Sequence, residues 1–344
     1  MSDATQARLG FVGAGGHANN SLYPSFPNAP TAHLAAVCDL DRQKAERTAK
    51  QCGADRVYTE VDAMLDEGGL DGVIVCGEPN MHRDVGLQVL RRGLPVAVEK
   101  PSAMTAADAR LLAEQAERAG TWGMVFFMKR HCAAYGLAKS LTEAPTFGGL
   151  QQLHVRFTQG EYPDLWGMEA PLAFLVGQVV HIFDLTRFLG GDLASVHARR
   201  RLVSHHRFGY AISVAFTSGA LGTLELNTLD HEVPWRDITE YVDASGVGES
   251  LSVEDMLTVN HHAAQDWRPE GLQTYGLATR RWQATWLGAI QGKALTGYVG
   301  EIEHFSQCCR AKKPATASLW DGVESLRFAE AVWESANTGR AVDL

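Results

Sequence analysis

The sequence predicts an α/β protein in two parts. The first is an N-terminal doubly wound parallel sheet. The second is a C-terminal α+β domain with a large, mainly antiparallel open sheet. Three observations predict it. Short apolar runs alternate with helical stretches through the first third of the chain, the pattern of βαβ units. A glycine-rich turn follows the first of those runs. Beyond residue 150 the apolar runs become consecutive period-2 segments joined by Gly-bearing turns such as Ser218-Gly219, which suits a sheet with one exposed face. At 344 residues the chain is longer than the roughly 250–300 at which a single core stops growing. Domains at 1–130 and 131–344 are expected, with the C-terminal helix packing back across the boundary.

Each element has its own signal. Leu9–Val12, His33–Cys38 (HLAAVC), Gly72–Val75 (GVIV), Pro95–Val98 (PVAV) and Trp122–Phe127 (WGMVFF) are short apolar strands. Between them, Asp41–Gln51 is polar and helix-forming, with Ala45 and Ala49 on one face, and Asn80–Arg92 carries Val85, Leu87, Val89 and Leu90. Thr105–Ala119 has Thr105 as N-cap, Asp108 three residues on and Gly120 as its stop. In the second part, Leu150–Thr158, Ser195–Val203, Tyr210–Phe216, Ala220–Asn227 and Ile238–Asp243 alternate as half-buried strands. Helices are expected near Leu172–Leu189, Tyr298–Cys309 and Asp321–Ala336.

Composition narrows the function. The hydrophobic share is 45% and the charged share 21%, ordinary for a globular protein. The formal charge of −9 repels phosphate backbones and argues against nucleic acid as a partner. No run of about 18 apolar residues suits a bilayer, so no membrane partner is expected. The start MSDATQARLGFVG lacks the pattern of a signal peptide. The six cysteines fall in no ligand spacing, and Cys38 and Cys76 end apolar runs. A reducing cytoplasmic setting with no metal is the expectation. The pairs His205-His206 and His261-His262 would diverge on a strand or helix, and no third ligand has convincing spacing.

The glycine turn carries the first functional signal. Gly13-Ala14-Gly15-Gly16-His17-Ala18 fits G-x-G-x-x-[GA] after a strand and before an expected helix. The first glycine permits the tight turn, and the second lets backbone N–H groups approach a pyrophosphate. The small last residue lets the helix pack, and the helix N-terminus offers partial positive charge. Asp39 ends the next strand 26 residues after Gly13, near the roughly 20 expected for a ribose-binding carboxylate. Leu40 and Asp41 follow rather than a basic residue, which favours NAD; Arg42 leaves NADP open. Glu99-Lys100-Pro101 follows the strand PVAV, where ligands gather in a doubly wound sheet. Pro101 biases Lys100 toward an extended backbone, which suits a lysine polarising a substrate oxygen. The tripeptide alone fits a Lys100–Glu99 surface ion pair equally well.

Taken together, these residues resemble the Gfo/Idh/MocA oxidoreductases, the glucose-fructose oxidoreductase and inositol dehydrogenase family. The resemblance runs nearly the full length. It rests on the glycine turn with Asp39, Leu70–Val75 leading to Pro79-Asn80-Met81-His82, and Glu99-Lys100-Pro101. It continues through Gly177–Asp184 (GQVVHIFD), Gly297-Tyr298 with Glu301, His304 and Phe305, and the ending Ala329–Leu344. It implies a Rossmann domain, NAD(P)-dependent chemistry at a secondary alcohol of a sugar, cyclitol or related polyol, and a homo-oligomer formed through the C-terminal sheet. It places Lys100 between nicotinamide and substrate. It places Cys76, Gly77 and Glu78 along the nicotinamide ribose, Glu78 standing where members usually have Thr. His82 matches the family's histidine, although helix capping or packing accounts for it as well. Glu99, Pro101 and Met128 join Gly13–His17 and Asp39 as candidate cofactor contacts. Arg130 falls where the family often has a substrate arginine, and Tyr298 near the pocket.

The family's second signature puts an Asp four residues before a His, so that both share a helix face and relay a proton. Here the His is His181, and Gly177 stands in the Asp position. His181 remains the candidate acid/base group, with Asp184 to orient it; the other reading of these residues is a packed helix histidine bonded to Asp184. Glu161, Asp164 and Glu169 in the preceding loop are the other carboxylates that position alone offers in place of the Asp. Trp166 suits stacking on a sugar face or burial in a core. The first function expected is therefore an NAD-dependent dehydrogenase of a carbohydrate-like alcohol. The alternatives are an NAD-retaining lyase- or glycosidase-type enzyme with transient sugar oxidation, and a dinucleotide-binding scaffold without turnover.

Overall fold

The computed structural model describes residues 6–230, 238–264, 277–285 and 289–344. The chain divides into two compact units: Met1–Cys132 with Leu287–Arg327, and Ala133–Trp286 with Phe328–Leu344. The first is built on six parallel strands, β1 (Ala7–Val12), β2 (Ala32–Cys38), β3 (Arg56–Tyr58), β4 (Gly72–Val75), β5 (Val96–Glu99) and β6 (Gly123–Phe126). Their order, β3-β2-β1-β4-β5-β6, reverses direction between β1 and β4. Such a reversal opens a crevice beyond the carboxyl ends of the strands. Every residue of β4, β5 and β6 is buried, as strands covered on both faces require.

Helices α1 (Arg42–Cys52), α2 (Val61–Glu67), α3 (Pro79–Arg91) and α4 (Ala106–Arg118) connect these strands. Asp41 caps α1 by accepting from Gln43 N and Lys44 N, and Gly53 ends it in the left-handed conformation. Thr105 caps α4 by accepting from Asp108 N, an arrangement worth about 1 kcal/mol. Ala109, Leu112, Ala113 and Ala116 then form the buried face of α4. One expectation fails. The regular helix anticipated after the glycine turn is instead a π turn, Ala18–Leu22, running into a 3₁₀ segment, Tyr23–Asn28. Pro24 and Pro27 each lack the N–H that a continuing α-helix needs. The three-residue strand β3 and the helix α2 are too short to stand out as periodic patterns.

The second unit begins with α5 (Ala133–Thr142), β7 (Gln152–Gln159), α6 (Ala170–Ala173) and α7 (Val180–Gly190). Seven strands follow: β8 (Leu193–Leu202), β9 (Phe208–Phe216), β10 (Leu221–Asn227), β11 (Ile238–Ser245), β12 (Ser250–Glu254), β13 (Thr258–Ala264) and β14 (Leu277–Gln283). With β15 (Val342–Asp343), the nine-stranded order is β14-β13-β12-β11-β7-β10-β9-β8-β15. Among the described strands of this sheet, only β7 and β10 pair in parallel; its other pairings are antiparallel. Along β9 and β10 inward and outward residues alternate, the period-2 pattern of the sequence. The run Asn260-His261-His262 hides that pattern in β13.

The chain returns through α8 (Ala289–Thr296), α9 (Tyr298–Ala311), α10 (Leu319–Thr338) and β15 (Val342–Asp343). In the first unit, Phe305 of α9 packs edge-on against Trp122 and Phe126, and Glu303 accepts a hydrogen bond from Thr31 N at 3.1 Å. In the second, Arg200 lies 4.4 Å over the Trp333 ring and Ala198 N donates to Ser335 Oγ. The unit boundary falls within α10, after Arg327. All six cysteines are free. Among the described residues, no single helix is long and apolar enough to cross a membrane.

The fold carries a pH cost at His131. Burial, then His304 and Arg130, hold this imidazole down to about 3, so the native state excludes a proton that the unfolded chain binds near 6.5. Stability from this group is present above pH 6.5 and lost as pH falls toward 3, by about 1.4 kcal/mol per pH unit. Urea titrations of wild type and His131→Asn at pH 7.5 and 5.0 should show a smaller acid-induced drop in midpoint for the variant. An equal drop in both would remove His131 as a source.

Candidate active site

In the first unit, the turn after β1 is shaped by one close approach. Gly13 has φ +105°, and a Cβ there would sit 2.0 Å from the Cys76 carbonyl oxygen. Gly13 N donates to Cys38 O at 2.8 Å, and Tyr23 Oη donates to Gly13 O at 3.0 Å. Over Gly15 and Gly16 the opposite holds: nothing lies within 4 Å of a Cβ at either position. The turn is therefore crowded beneath and open above, as a cradle for an incoming phosphate must be. Asp39 accepts from Ala14 N at 2.7 Å and from Asp41 N at 2.9 Å, which holds its carboxylate against the turn. A cleft of about 490 Å³ opens here, lined in part by Gly13, Asp39, Cys76, Gly77 and Met81. Every charged side chain lining it is acidic: Asp39, Glu60, Asp62 and Glu78. That lining suits ribose hydroxyls and disfavours a 2′-phosphate.

At the end of β5, Glu99 is buried and pairs with His17 Nε2 at 3.0 Å; its second oxygen accepts from Lys100 N at 2.8 Å. Burial alone would push the Glu99 carboxyl up, but His17 and Lys100 more than offset it and hold it below the usual carboxylate value. Burial pushes the Lys100 ammonium below its ordinary value, against the pull of Glu99. The peptide between Lys100 and Pro101 is cis. His82, fully buried on the first turn of α3, spends both ring nitrogens inside the protein. Gly77 N donates to its Nε2 at 2.9 Å, so Nδ1 holds the proton and donates to Pro101 O at 2.8 Å. His82 thus ties the loop after β4 to the Lys100-Pro101 turn.

Tyr298 opens α9 and meets the His17 ring edge-on at 5.9 Å. Gly297 before it has φ +103°, and a Cβ there would fall 1.9 Å from Met128 O. Arg130 is ion-paired with Asp321 at 3.0 Å. One residue of this group entered the sequence reading only as part of the resemblance, with no role assigned to it. Glu301 is fully buried, and among the described residues neither carboxyl oxygen has a hydrogen-bond partner. Burial and Glu99 push it well above the carboxylate range, opposed by Lys100. Its signal is visible afterwards: it occupies a core position of α9 beside buried Ile302, Phe305, Cys308 and Cys309.

In the second unit, positions 177 and 181 do not share a regular helix. Phe174–Gln178 is a π turn, Val179 breaks it, and the segments on either side bend by 46°. His181 is the second residue of α7, and Asp184, one turn on, is fully buried. The place of a side chain at 177 is already filled. A Cβ there would lie 2.8 Å from Tyr162 Oη and 3.0–3.1 Å from the Trp166 ring. Trp166 reaches this place from a tight hairpin in which it has φ +53° and Gly167 φ +78°, closed by the Leu165–Met168 bonds. A left-handed tryptophan costs of order 1–3 kcal/mol and persists only where its surroundings over-determine it. Asp164 accepts from Ala170 N at 2.7 Å and pairs with His205. The His205 and His206 rings do not diverge; their centroids lie 4.6 Å apart.

Comparison with known proteins agrees with this architecture. Residues 7–127 match the model of the oxidoreductase family with an NAD-binding Rossmann fold, and residues 254–344 match that family's C-terminal alpha/beta domain. The chain is 23% identical over 362 residues to D-apiose dehydrogenase of Rhizobium rhizogenes, covering 99% of this chain and 98% of that protein. It is 23% identical over 348 residues to scyllo-inositol 2-dehydrogenase (NAD(+)) of Bacillus subtilis, covering 98% and 94%. The solved structure of a dehydrogenase from Chromobacterium violaceum superposes with a TM-score of 0.87 at 22% identity, covering 97% of this chain and 96% of that one.

The crowding at 177 yields a direct test. Gly177→Asp, which writes the missing carboxylate back in, should be destabilised by roughly 1–3 kcal/mol through collision with Tyr162 and Trp166. The readout is the thermal midpoint. An unchanged midpoint would show that the place is free.

Proposed function

The chain belongs to the Gfo/Idh/MocA oxidoreductases, and on that premise we propose that it is an NAD-dependent dehydrogenase acting on a secondary alcohol or ketone of a sugar, cyclitol or related polyol. The observation that carries this reading is the glycine turn, open above Gly15 and Gly16 beside an acid-lined cleft, in the same unit as Lys100, whose ammonium burial pushes below its ordinary value. The names of the D-apiose and scyllo-inositol relatives support the substrate class. Bound NAD supplies the hydride acceptor, or the donor in its reduced form. Gly13–His17 hold the pyrophosphate, Asp39 the adenosine ribose, and Cys76–Glu78 with Met128 the nicotinamide end. Glu99, His82 and Pro101 position Lys100.

Lys100 donates a hydrogen bond to the reacting oxygen and stabilises negative charge as it develops there. His181 takes the alcohol proton in oxidation and returns it in reduction, with Asp184 orienting the ring. Tyr162 and Trp166 close the place of the usual carboxylate, so His181 works without that partner. Trp166 offers an aromatic face to the sugar, and Arg130 and Tyr298 offer donors to its hydroxyls. The nine-stranded sheet serves as the face on which subunits pair.

Two measurements test this reading. Purified protein mixed with NAD and a panel of polyols should reduce the cofactor. Lys100→Ala should lower kcat/KM by about 10²–10⁴ while NAD still binds. The donor role requires the ammonium, whose pKa burial lowers. Activity should therefore decline as pH rises through a limb below the ordinary lysine value of 10.5, a limb that Lys100→Ala lacks. Full turnover by Lys100→Ala would end the assignment. Turnover with co-purified cofactor and no added NAD would favour the lyase- or glycosidase-type alternative, which the filled place at 177 keeps in view.

Asp39→Ala tests the cofactor half alone. Losing two ribose acceptors should weaken NAD by roughly tenfold or more and leave the variant relatively more tolerant of NADP. Calorimetry reads both constants. An unchanged NAD affinity would remove Asp39 from the site.

A further inference from the structure

The hairpin turn between β8 and β9 is zipped residue by residue onto the loop that carries Tyr162 and Trp166. Arg207 Nε donates to Glu161 at 2.9 Å. Tyr162 N donates to His206 O at 3.2 Å, and His206 Nδ1 meets Tyr162 O at 3.0 Å. His205 Nε2 lies 2.7 and 3.0 Å from the two oxygens of Asp164. Val203 N and Ser204 N both donate to Arg207 O, and Thr228 Oγ1 donates to His206 O, so the turn is fixed from both sides. The result is a preformed cluster: one ligand atom each from Asp164, His205 and His206, all within 4.8 Å of one another.

The chemistry of the three groups is that of a transition-metal site. The carbonyl of Tyr162 can only accept, so His206 Nδ1 carries its proton and the lone pair resides on Nε2. This outer contact is the kind that sets the tautomer of a metal-binding imidazole. Two ligands about 2.1 Å from a tetrahedral metal stand roughly 3.4 Å apart, so inserting an ion needs only a small opening of the His205–Asp164 contact. Asp164 and His205 each keep about half of their side-chain surface in solvent, which gives an ion access and leaves room for water ligands. Two imidazoles and one carboxylate select borderline ions such as Zn²⁺ over Mg²⁺, which prefers all-oxygen ligands.

We propose that Asp164, His205 and His206 form a binding site for a zinc-class divalent cation, which cross-links the β8–β9 turn to the loop bearing Tyr162 and Trp166. No step of the dehydrogenase reading uses this ion, so the site stands or falls on its own. When occupied, it clamps the loop that fills the place beside Gly177. It thereby makes loop order depend on metal supply.

The test uses full-length protein stripped with a chelator and titrated with ZnCl₂ by calorimetry, with MgCl₂ in parallel. One Zn²⁺ per chain and no heat from Mg²⁺ are expected. Bound Zn²⁺ should raise the thermal midpoint, since it binds only the folded arrangement. Co²⁺ should show the visible absorption of a low-coordinate nitrogen–oxygen site. His205→Ala and Asp164→Asn should each weaken Zn²⁺ by at least about tenfold. Asp164→Asn keeps an acceptor for Ala170 N, so metal-free thermal midpoints near wild type separate lost binding from lost folding. His262→Ala, at the other histidine pair, should bind as wild type does. Zinc affinity unchanged in His205→Ala and Asp164→Asn, or no stoichiometric binding to wild type, would overturn the site.

Discussion

The first unit depends on one contact between backbones. The turn after β1 passes so near the Cys76 carbonyl that no side chain fits at Gly13. This approach brings the loops after β1 and β4 together at the point where the sheet reverses direction. The acid-lined cleft lies between them. His82 extends the same joint to the third loop by joining Gly77 N to the Pro101 carbonyl. The loops after three strands are thus registered through backbone atoms, leaving the side chains around them free to carry chemistry.

The charges beside that joint are expensive and mutually adjusted. Glu99, Lys100, His82 and Glu301 are all withdrawn from water to some degree, and burial acts on each by opposing its charged form. Glu99 stays ionised because His17 and Lys100 surround it. Glu301, buried, with Glu99 nearby and no hydrogen-bond partner among the described residues, is pushed well above the usual carboxylate range. Lys100 sits between these influences with its ammonium weakened. Such a lysine gives up its proton at a lower pH than one on a surface.

Much of this was legible in the sequence, and what was not had physical reasons. The strands GVIV and PVAV read clearly because both of their faces are buried. The cap at Thr105 read from residue types alone. The glycine turn and Asp39 come together because a motif of fixed spacing encodes a local shape. The π turn at Phe174–Gln178 did not read, since its residues are those of any apolar helix and the bend arises from packing. The filling of the place at Gly177 depends on Tyr162 and Trp166, which approach from another loop. The pairing of His205 with Asp164 spans 41 residues, beyond the reach of spacing arguments.

The division of the chain has a consequence for its synthesis. The first unit is discontinuous: its strands end at Phe126, yet its core also requires α9, which begins only at Tyr298. Phe305 packs on Trp122 and Phe126, and Phe305 with Cys309 takes the space above Gly72. A nascent chain that has just released its sixth strand therefore exposes an unfinished hydrophobic surface. It must keep that surface soluble while the eight strands β7 to β14 are made, because α9, the piece that seals it, follows them in the chain.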